Sequence, residues 1–151
     1  MSKRTIWFDM DGTIADLYSV ENWLPKLRAE DASPYAEAAV MHNMSLLARY
    51  LNKLQTLGYT IGIITWLAKD STREYDEAVK QAKSEWLQLH LHSVTFNEVY
   101  MVNYGIPKSI FMNTDTDILF DDNEEIRNEW TGETYEPIEI FSVLKKLLQQ
   151  E

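Results

Sequence analysis

"TIWFDMDGTIADLY", residues 5–18, carries four strand-forming residues (Thr5, Ile6, Trp7, Phe8) straight into Asp9, Met10 and Asp11, followed by Gly12 and, further on, Asp16. The first four have the composition of a buried strand. Carboxylates at the mouth of such a strand lose hydration, which costs several kcal/mol unless hydrogen bonds or a counter-charge offset it. The segment is therefore either an acidic turn facing water or part of a cation site. The rest of the chain decides.

Outward from this stretch, strand and helix patterns alternate. Residues 4–9 form the first predicted strand. Asn43 is placed to cap a helix with Met44, Leu47, Ala48, Leu51 and Leu54 at helical spacing, closed by Gly58. "YTIGIIT" (59–65) is a second apolar, β-branched strand, and the helix after it has Ser71 and Glu74 at capping-box spacing. "FNEVYMV" (96–102) and "DILF" (117–120) are further strands, and residues 138–150 form an amphipathic helix. This alternation predicts an α/β fold of three layers, a central parallel sheet with helices on both faces. In such sheets functional residues follow the carboxyl ends of strands near the topological switch point. Residues 17–42 break the alternation with Pro25, Pro34 and two short helical patches. Tyr18, Trp23, Leu24 and Leu27 give that segment something to bury, so it is expected to form a small lid over the sheet. Residues 1–151 then make a single domain with one insertion.

Composition narrows the function classes. The chain has 45% hydrophobic and 25% charged residues, as in a soluble globular protein, and five Trp, too many for a disordered chain. A formal charge of -10 argues against a duplex nucleic acid partner, because phosphate backbones are bound by clustered Lys and Arg. A small phosphorylated ligand remains compatible, since a metal ion reverses the local field. The absence of cysteine excludes disulfides, thiolate metal sites and cysteine nucleophiles. The N-terminal apolar run is too short for a signal peptide and no run approaches a membrane span, so a cytoplasmic protein is expected.

At the strand ends stand Asp9 and Asp11, then Thr65, then Asp121 and Asp122, with Lys108 in the loop between the last two strands. These carboxylates, with a hydroxyl and an ammonium on one sheet edge, make a site for a divalent metal and a phosphoryl group. One carboxylate of the first pair can attack phosphorus, and the other can protonate the leaving oxygen and then deprotonate water. Hard Mg²⁺ suits oxygen ligands, and Asp122 can supply a further carboxylate. Thr65 can donate to a phosphate oxygen, and Lys108 can offset charge on the transferring group.

The motif "DMDGT" (9–13) resembles the DxDGT signature of the haloacid dehalogenase-like phosphatase superfamily. "GIIT", the lysine of "GIPKS" and "ILFDD" follow in the order of its second, third and fourth motifs. The resemblance implies a Rossmann-like fold, Mg²⁺ dependence and an aspartyl-phosphate intermediate, with Asp9 as nucleophile and Asp11 as general acid/base. It also implies metal ligation by the Asp9 carboxylate, the Asp11 backbone carbonyl and an aspartate of the fourth motif, Asp122 with Asp121 in support. A dehalogenase is disfavoured, because the second aspartate of DxD goes with phosphoryl transfer. Within the superfamily the chain looks most like the 5'(3')-deoxyribonucleotidase group, through "KSEW" (83–86) and "DILFDDN" (117–123), although its lid is shorter and Trp66 stands where that group has a small hydroxyl residue. A nucleoside monophosphate is the substrate this suggests. A phosphatase for macromolecular phosphates and a non-catalytic phosphate binder are the alternatives.

Lys108 is preferred as the phosphate-facing lysine, and mid-helix Lys83 is assigned to a solvated face. Asp16 is expected to make a helix-start or lid contact, and His90 and His92 to have ordinary surface or core roles. Trp7 and Trp86 are expected in the core. Trp66, with Trp23 and Tyr18, falls where the lid meets the strand ends and can contact substrate.

Overall fold

Thr5–Phe8, the first strand (β1), has every side chain buried, which fits the unbroken apolar run. A computed structural model describes residues 3–150 of the chain. After β1 come β2 (Ala15–Asp16), α1 (Trp23–Arg28), α2 (Ser33–Glu37), β3 (Ala39–Val40), α3 (Met44–Thr56) and β4 (Thr60–Trp66). Then follow α4 (Arg73–His90), β5 (Glu98–Val102), β6 (Ile118–Phe120), α5 (Glu124–Glu129), β7 (Glu133–Tyr135) and α6 (Ile140–Gln149).

The main sheet is five-stranded and parallel, in the order β5-β4-β1-β6-β7. Winding reverses between β1 and β6, so their carboxyl ends flank the crevice where such folds bind ligands. This is the expected α/β Rossmann-like architecture, with one strand more than the sequence suggested. β7 is three residues of mixed polarity, too short for an alternation to show. Its ladder is carried on by Glu133 N–H to the Asp117 carbonyl at 3.0 Å and Asp121 N–H to the Tyr135 carbonyl at 3.2 Å.

Side chains of β1, β4 and β6 alternate between two apolar layers. Ile6, Phe8, Ile61, Ile63, Ile118 and Phe120 pack with α3, α6 and the C-terminal part of α4. Trp7, Ile64 and Leu119 face Ile126 and Trp130 on the thinner opposite layer. The Trp7 indole lies over Gly62, its register partner, where any Cβ would overlap the ring. Trp7 and Trp86 are both core residues, at 0% and 1% exposure.

The helix starts follow capping rules. The Asn43 side chain accepts from Leu46 N–H at 3.1 Å, and α3 buries Leu47, Ala48, Leu51 and Leu54 before the chain turns at Gly58, whose φ is +105°. At α4 the expected Ser71–Glu74 capping box is corrected. Thr72 is the cap, accepting from Tyr75 N–H at 3.2 Å, while the Ser71 hydroxyl bonds to the Asp76 carboxylate. Thr72 has the extended backbone a cap requires, and sequence spacing alone does not distinguish it from its neighbour.

The insertion is stapled where it leaves and rejoins the domain. β2 and β3 pair antiparallel, Ala15 opposite Val40 and Asp16 opposite Ala39. Its helices rest on α4 through the Tyr75 hydroxyl, which donates to the Asp31 carbonyl at 3.0 Å, and the Trp86 indole N–H, which donates to the Ala38 carbonyl at 2.7 Å. Asp16 precedes the short turn Leu17–Ser19 without a side-chain cap bond, so of the helix-start or lid contact expected it makes the second, pairing with Ala39 of the insertion.

At the amino end of β6, buried Asp117 accepts from Thr5 N–H (2.8 Å), Trp7 Nε1 (2.9 Å), Asn113 N–H (2.8 Å) and the Thr114 hydroxyl (2.6 Å). Burial pushes its carboxyl up, but these bonds together hold it below the usual aspartate range. No helix among the described residues is long and apolar enough to cross a membrane.

Candidate active site

Beyond β1 the ladder carries one residue further, because Asp9 N–H donates to the Phe120 carbonyl at 3.0 Å. The Met10 carbonyl then accepts from the N–H groups of Thr13, Ile14 and Ala15 at 3.0–3.1 Å, winding the chain into a tight turn. That turn brings Thr13 back over the strand end. Its hydroxyl donates to Asp9 Oδ2 at 3.0 Å and accepts from Asp122 N–H at 3.2 Å, joining the ends of β1 and β6.

Gly12 sits in this turn at φ +81°. A Cβ there would overlap the Asp122 carboxylate, lying 2.7 Å from its Cγ, and would come within 2.9 Å of the Tyr18 ring. Both conformation and space therefore demand glycine. Gly12→Ala is expected to cost at least about 1–2 kcal/mol from the backbone alone, and to displace Asp122. Urea unfolding together with Mg²⁺ titration checks this, and a variant with wild-type stability and Mg²⁺ affinity would overturn it.

Asp9, Asp121 and Asp122 each present an oxygen within 4.8 Å of the others. Burial and the charge of Asp9 push Asp121 up to about 6 despite the nearby Lys108, and burial with Asp9 and Asp121 pushes Asp122 up to about 7. An all-oxygen donor set of crowded carboxylates fits a hard divalent cation such as Mg²⁺. Asp11 adds no carboxylate oxygen to this group among the described residues, because its side chain turns to Lys83.

The metal-free pH dependence follows from these shifts. Unfolded aspartates lose their protons near pH ~4, whereas the folded pair retains them up to about 6 and 7. Folded protein binds more protons across that window, so the pair's contribution to stability falls as pH rises through it. In EDTA the melting temperature is expected to drop between pH 5 and pH 8, and Mg²⁺ is expected to remove the drop. A flat profile in EDTA would contradict the arrangement.

Two lysines enter the site. Lys108 Nζ, with the side chain 1% exposed, reaches Asp9 Oδ1 at 3.0 Å and Asp121 Oδ2 at 2.7 Å. Burial alone would lower its pKa, but the two carboxylates overcome this and hold it above the usual lysine value. Lys83 corrects the sequence expectation of a solvated face. It is equally buried, with Nζ at 2.9 Å from Asp11 Oδ2, 2.6 Å from Thr65 Oγ1 and 2.9 Å from the Trp66 carbonyl. Its helix turns Tyr75, Val79, Ala82, Lys83, Trp86 and Leu87 inward, and the hint in the sequence was a lysine interleaved at that apolar spacing.

The carboxylates open onto a cavity of about 620 Å³ whose walls include Asp9, Asp11, Lys108, Asp121 and Asp122. Thr65 and Lys83 are not among its lining residues. Trp66 ends β4 and lines the cavity, its indole N–H donating to the Ile106 carbonyl at 2.9 Å and its ring 4.8 Å from Tyr104. Across the site, Tyr18 and Trp23 meet edge-on at 4.9 Å, and the insertion also contributes Leu24, Leu27 and Tyr35 to the walls. Burial and the neighbouring carboxylates, Asp11 foremost, push the Tyr18 and Tyr35 hydroxyls far up, so both are neutral donors. Tyr35 and Tyr104 were not anticipated in the site. His90 packs against Trp86 at 4.6 Å and His92 is exposed, and neither lines the cavity.

No protein-family model matches the sequence, and no curated protein does. Among solved structures, a chain of the Pnkp1/Rnl/Hen1 complex aligns with a TM-score of 0.56 at 13% identity, covering 88% of this chain and 45% of that one. The likeness is one of fold. D,D-heptose 1,7-bisphosphate phosphatase from Burkholderia thailandensis aligns with a TM-score of 0.49 at 14% identity, over 84% of this chain and 72% of that one. The chain thus spans less than half the length of the Pnkp1/Rnl/Hen1-complex chain it matches.

Proposed function

We propose that this protein is a Mg²⁺-dependent phosphomonoesterase for a small phosphorylated molecule with a planar ring, a (deoxy)nucleoside monophosphate, working through an aspartyl-phosphate. The observation that carries the reading is the convergence of Asp9, Asp11, Lys108, Asp121 and Asp122 on one aromatic-walled cavity. The likeness of the strand-end motifs to the haloacid dehalogenase-like phosphatases supports it.

The chemistry divides among the residues. An Asp9 carboxylate oxygen forms a bond to phosphorus as the bond to the ester oxygen breaks, and Asp11, in its acid form, gives that leaving oxygen a proton. Burial, outweighing the attraction of Lys83, holds Asp11 above the usual carboxylate range and so favours the acid form. Water then attacks phosphorus, its proton passes to the Asp11 carboxylate, and Asp9 departs as a carboxylate, which restores both groups. Lys108 has two of its three N–H donors on carboxylates, leaving one for a phosphoryl oxygen. Asp9, Asp121 and Asp122 would hold Mg²⁺, which supplies charge neutralisation and alignment for the phosphoryl group. Trp66, Tyr18 and Trp23 offer apolar ring surface for a base.

The test is phosphate release across mononucleotides, sugar phosphates and 3'- or 5'-phosphorylated oligonucleotides, with Mg²⁺ and with EDTA. Mononucleotides should lead, and EDTA should abolish release. Faster turnover of oligonucleotide ends would move the assignment to a macromolecular phosphate, and no turnover of any substrate would end the enzymatic reading.

A further inference from the structure

Lys83 is the buried charge that the reaction above does not use. Its ammonium has three N–H donors, and all three are spent inside the protein, on Asp11 Oδ2, Thr65 Oγ1 and the Trp66 carbonyl. The remaining approach is covered by Tyr35 from the insertion, whose ring centroid lies 5.0 Å from Nζ. Lys108 lines the cavity and Lys83 does not. With no spare donor and no opening to the cavity, Lys83 has nothing to offer a phosphate.

We infer that Lys83 is a positioning residue for leaving-group protonation: it fixes Asp11 by one carboxylate oxygen and leaves the other to exchange the proton. This rests on the reaction proposed above. With Oδ2 held at 2.9 Å, proton traffic falls to Oδ1, which has no other protein partner among the described residues. The same ammonium ties Asp11 to the end of β4 through Thr65 and the Trp66 carbonyl. Its helix also holds the insertion three residues later, where Trp86 donates to the Ala38 carbonyl at 2.7 Å. One rigid helix, α4, therefore sets the acid/base carboxylate and the roof that faces it.

The consequence is a dependence on leaving group. A 2,4-dinitrophenolate departs without a proton, whereas an alkoxide of a sugar needs one. In Lys83→Met, kcat/KM for a nucleoside monophosphate should fall at least about tenfold further than kcat/KM for 2,4-dinitrophenyl phosphate, because the proton-transfer contribution is lost selectively. In Lys108→Met the two should fall together. Calorimetric titration with inorganic phosphate, which needs no turnover, gives the second readout. Lys83→Met should stay within about threefold of wild type, and Lys108→Met should lose more than about tenfold.

Equal losses on both substrates, or a loss of phosphate affinity matching that of Lys108→Met, would overturn the assignment. Should circular dichroism show Lys83→Met unfolded, Lys83→Gln carries the same comparison, since its shorter, uncharged amide has two N–H donors and cannot reach all three acceptors. A wild-type protein that releases no phosphate would overturn the proposed function instead, and the phosphate titration would still decide whether Lys83 is a ligand.

Discussion

Asp9→Asn is expected to lower phosphate release by about four to six orders of magnitude, the scale seen when a covalent nucleophile is removed, while the fold persists. The amide has nearly the shape of the carboxylate. Lys108 can still donate to Oδ1, and the Thr13 hydroxyl can rotate to accept from the new amide. What disappears is the charged oxygen proposed to attack phosphorus, and with it one of three crowded carboxylates. The variant should therefore melt no lower than wild type in EDTA, because burial and the Asp9 charge together raise Asp121 and Asp122, and the charge is removed. Intact-protein mass spectrometry should trap a phosphoenzyme in wild type and none in the variant. Residual activity above about one per cent would be far too much for a lost nucleophile, and would remove Asp9 from that role.

The second large effect is expected from Lys108→Met. Its ammonium is the fixed cation between Asp9 and Asp121, and both ion pairs are almost wholly shielded from water. Breaking such a pair leaves uncompensated buried charge and typically costs about 3–5 kcal/mol. At pH 8 in EDTA the variant should show that loss in urea unfolding, with partial recovery at pH 5, below the raised values of Asp121 and Asp122. Mg²⁺ should recover stability at either pH, since it replaces the missing positive charge. Activity should nevertheless stay lower by about two to three orders of magnitude, because the proposed reaction makes Lys108 a preorganised donor to the transferring group. Equal stability of variant and wild type in metal-free buffer would show that the carboxylates do not depend on Lys108.

Much of this was legible in the sequence, for identifiable reasons. The strand before Asp9 is continuous and apolar, so the mount of the site and the parallel sheet were visible, as were Asn43 and Gly58 bounding α3. The convergence of Asp9, Lys108, Asp121 and Asp122 follows from strand ends sharing one edge. Lys83 was misplaced because a lysine on a long charged helix is ordinarily solvated, and only the tertiary approach of Asp11 and Thr65 makes its burial favourable. β7 was missed because three residues at a sheet edge take their conformation from the neighbouring strand rather than from their own pattern. Thr72 displaced Ser71 as a cap because backbone conformation, not residue type, separates adjacent hydroxyl residues. Tyr35 was invisible because its partner, Lys83, was assigned elsewhere.

β6 is only three residues long, yet it has an aspartate at each end in opposite circumstances. Asp117 is saturated with donors and held below the ordinary range, while Asp121 shares its surroundings with other carboxylates and is held above it. The contribution of Asp117 is therefore lost on acidification through its lowered folded pKa, whereas that of Asp121 falls as pH rises from about 4 to about 6. The two ends of one short strand thus respond to pH in opposite directions. Asp117 stands outside the Asp9, Asp121 and Asp122 group, so the loss on acidification at its end should be the same with and without Mg²⁺.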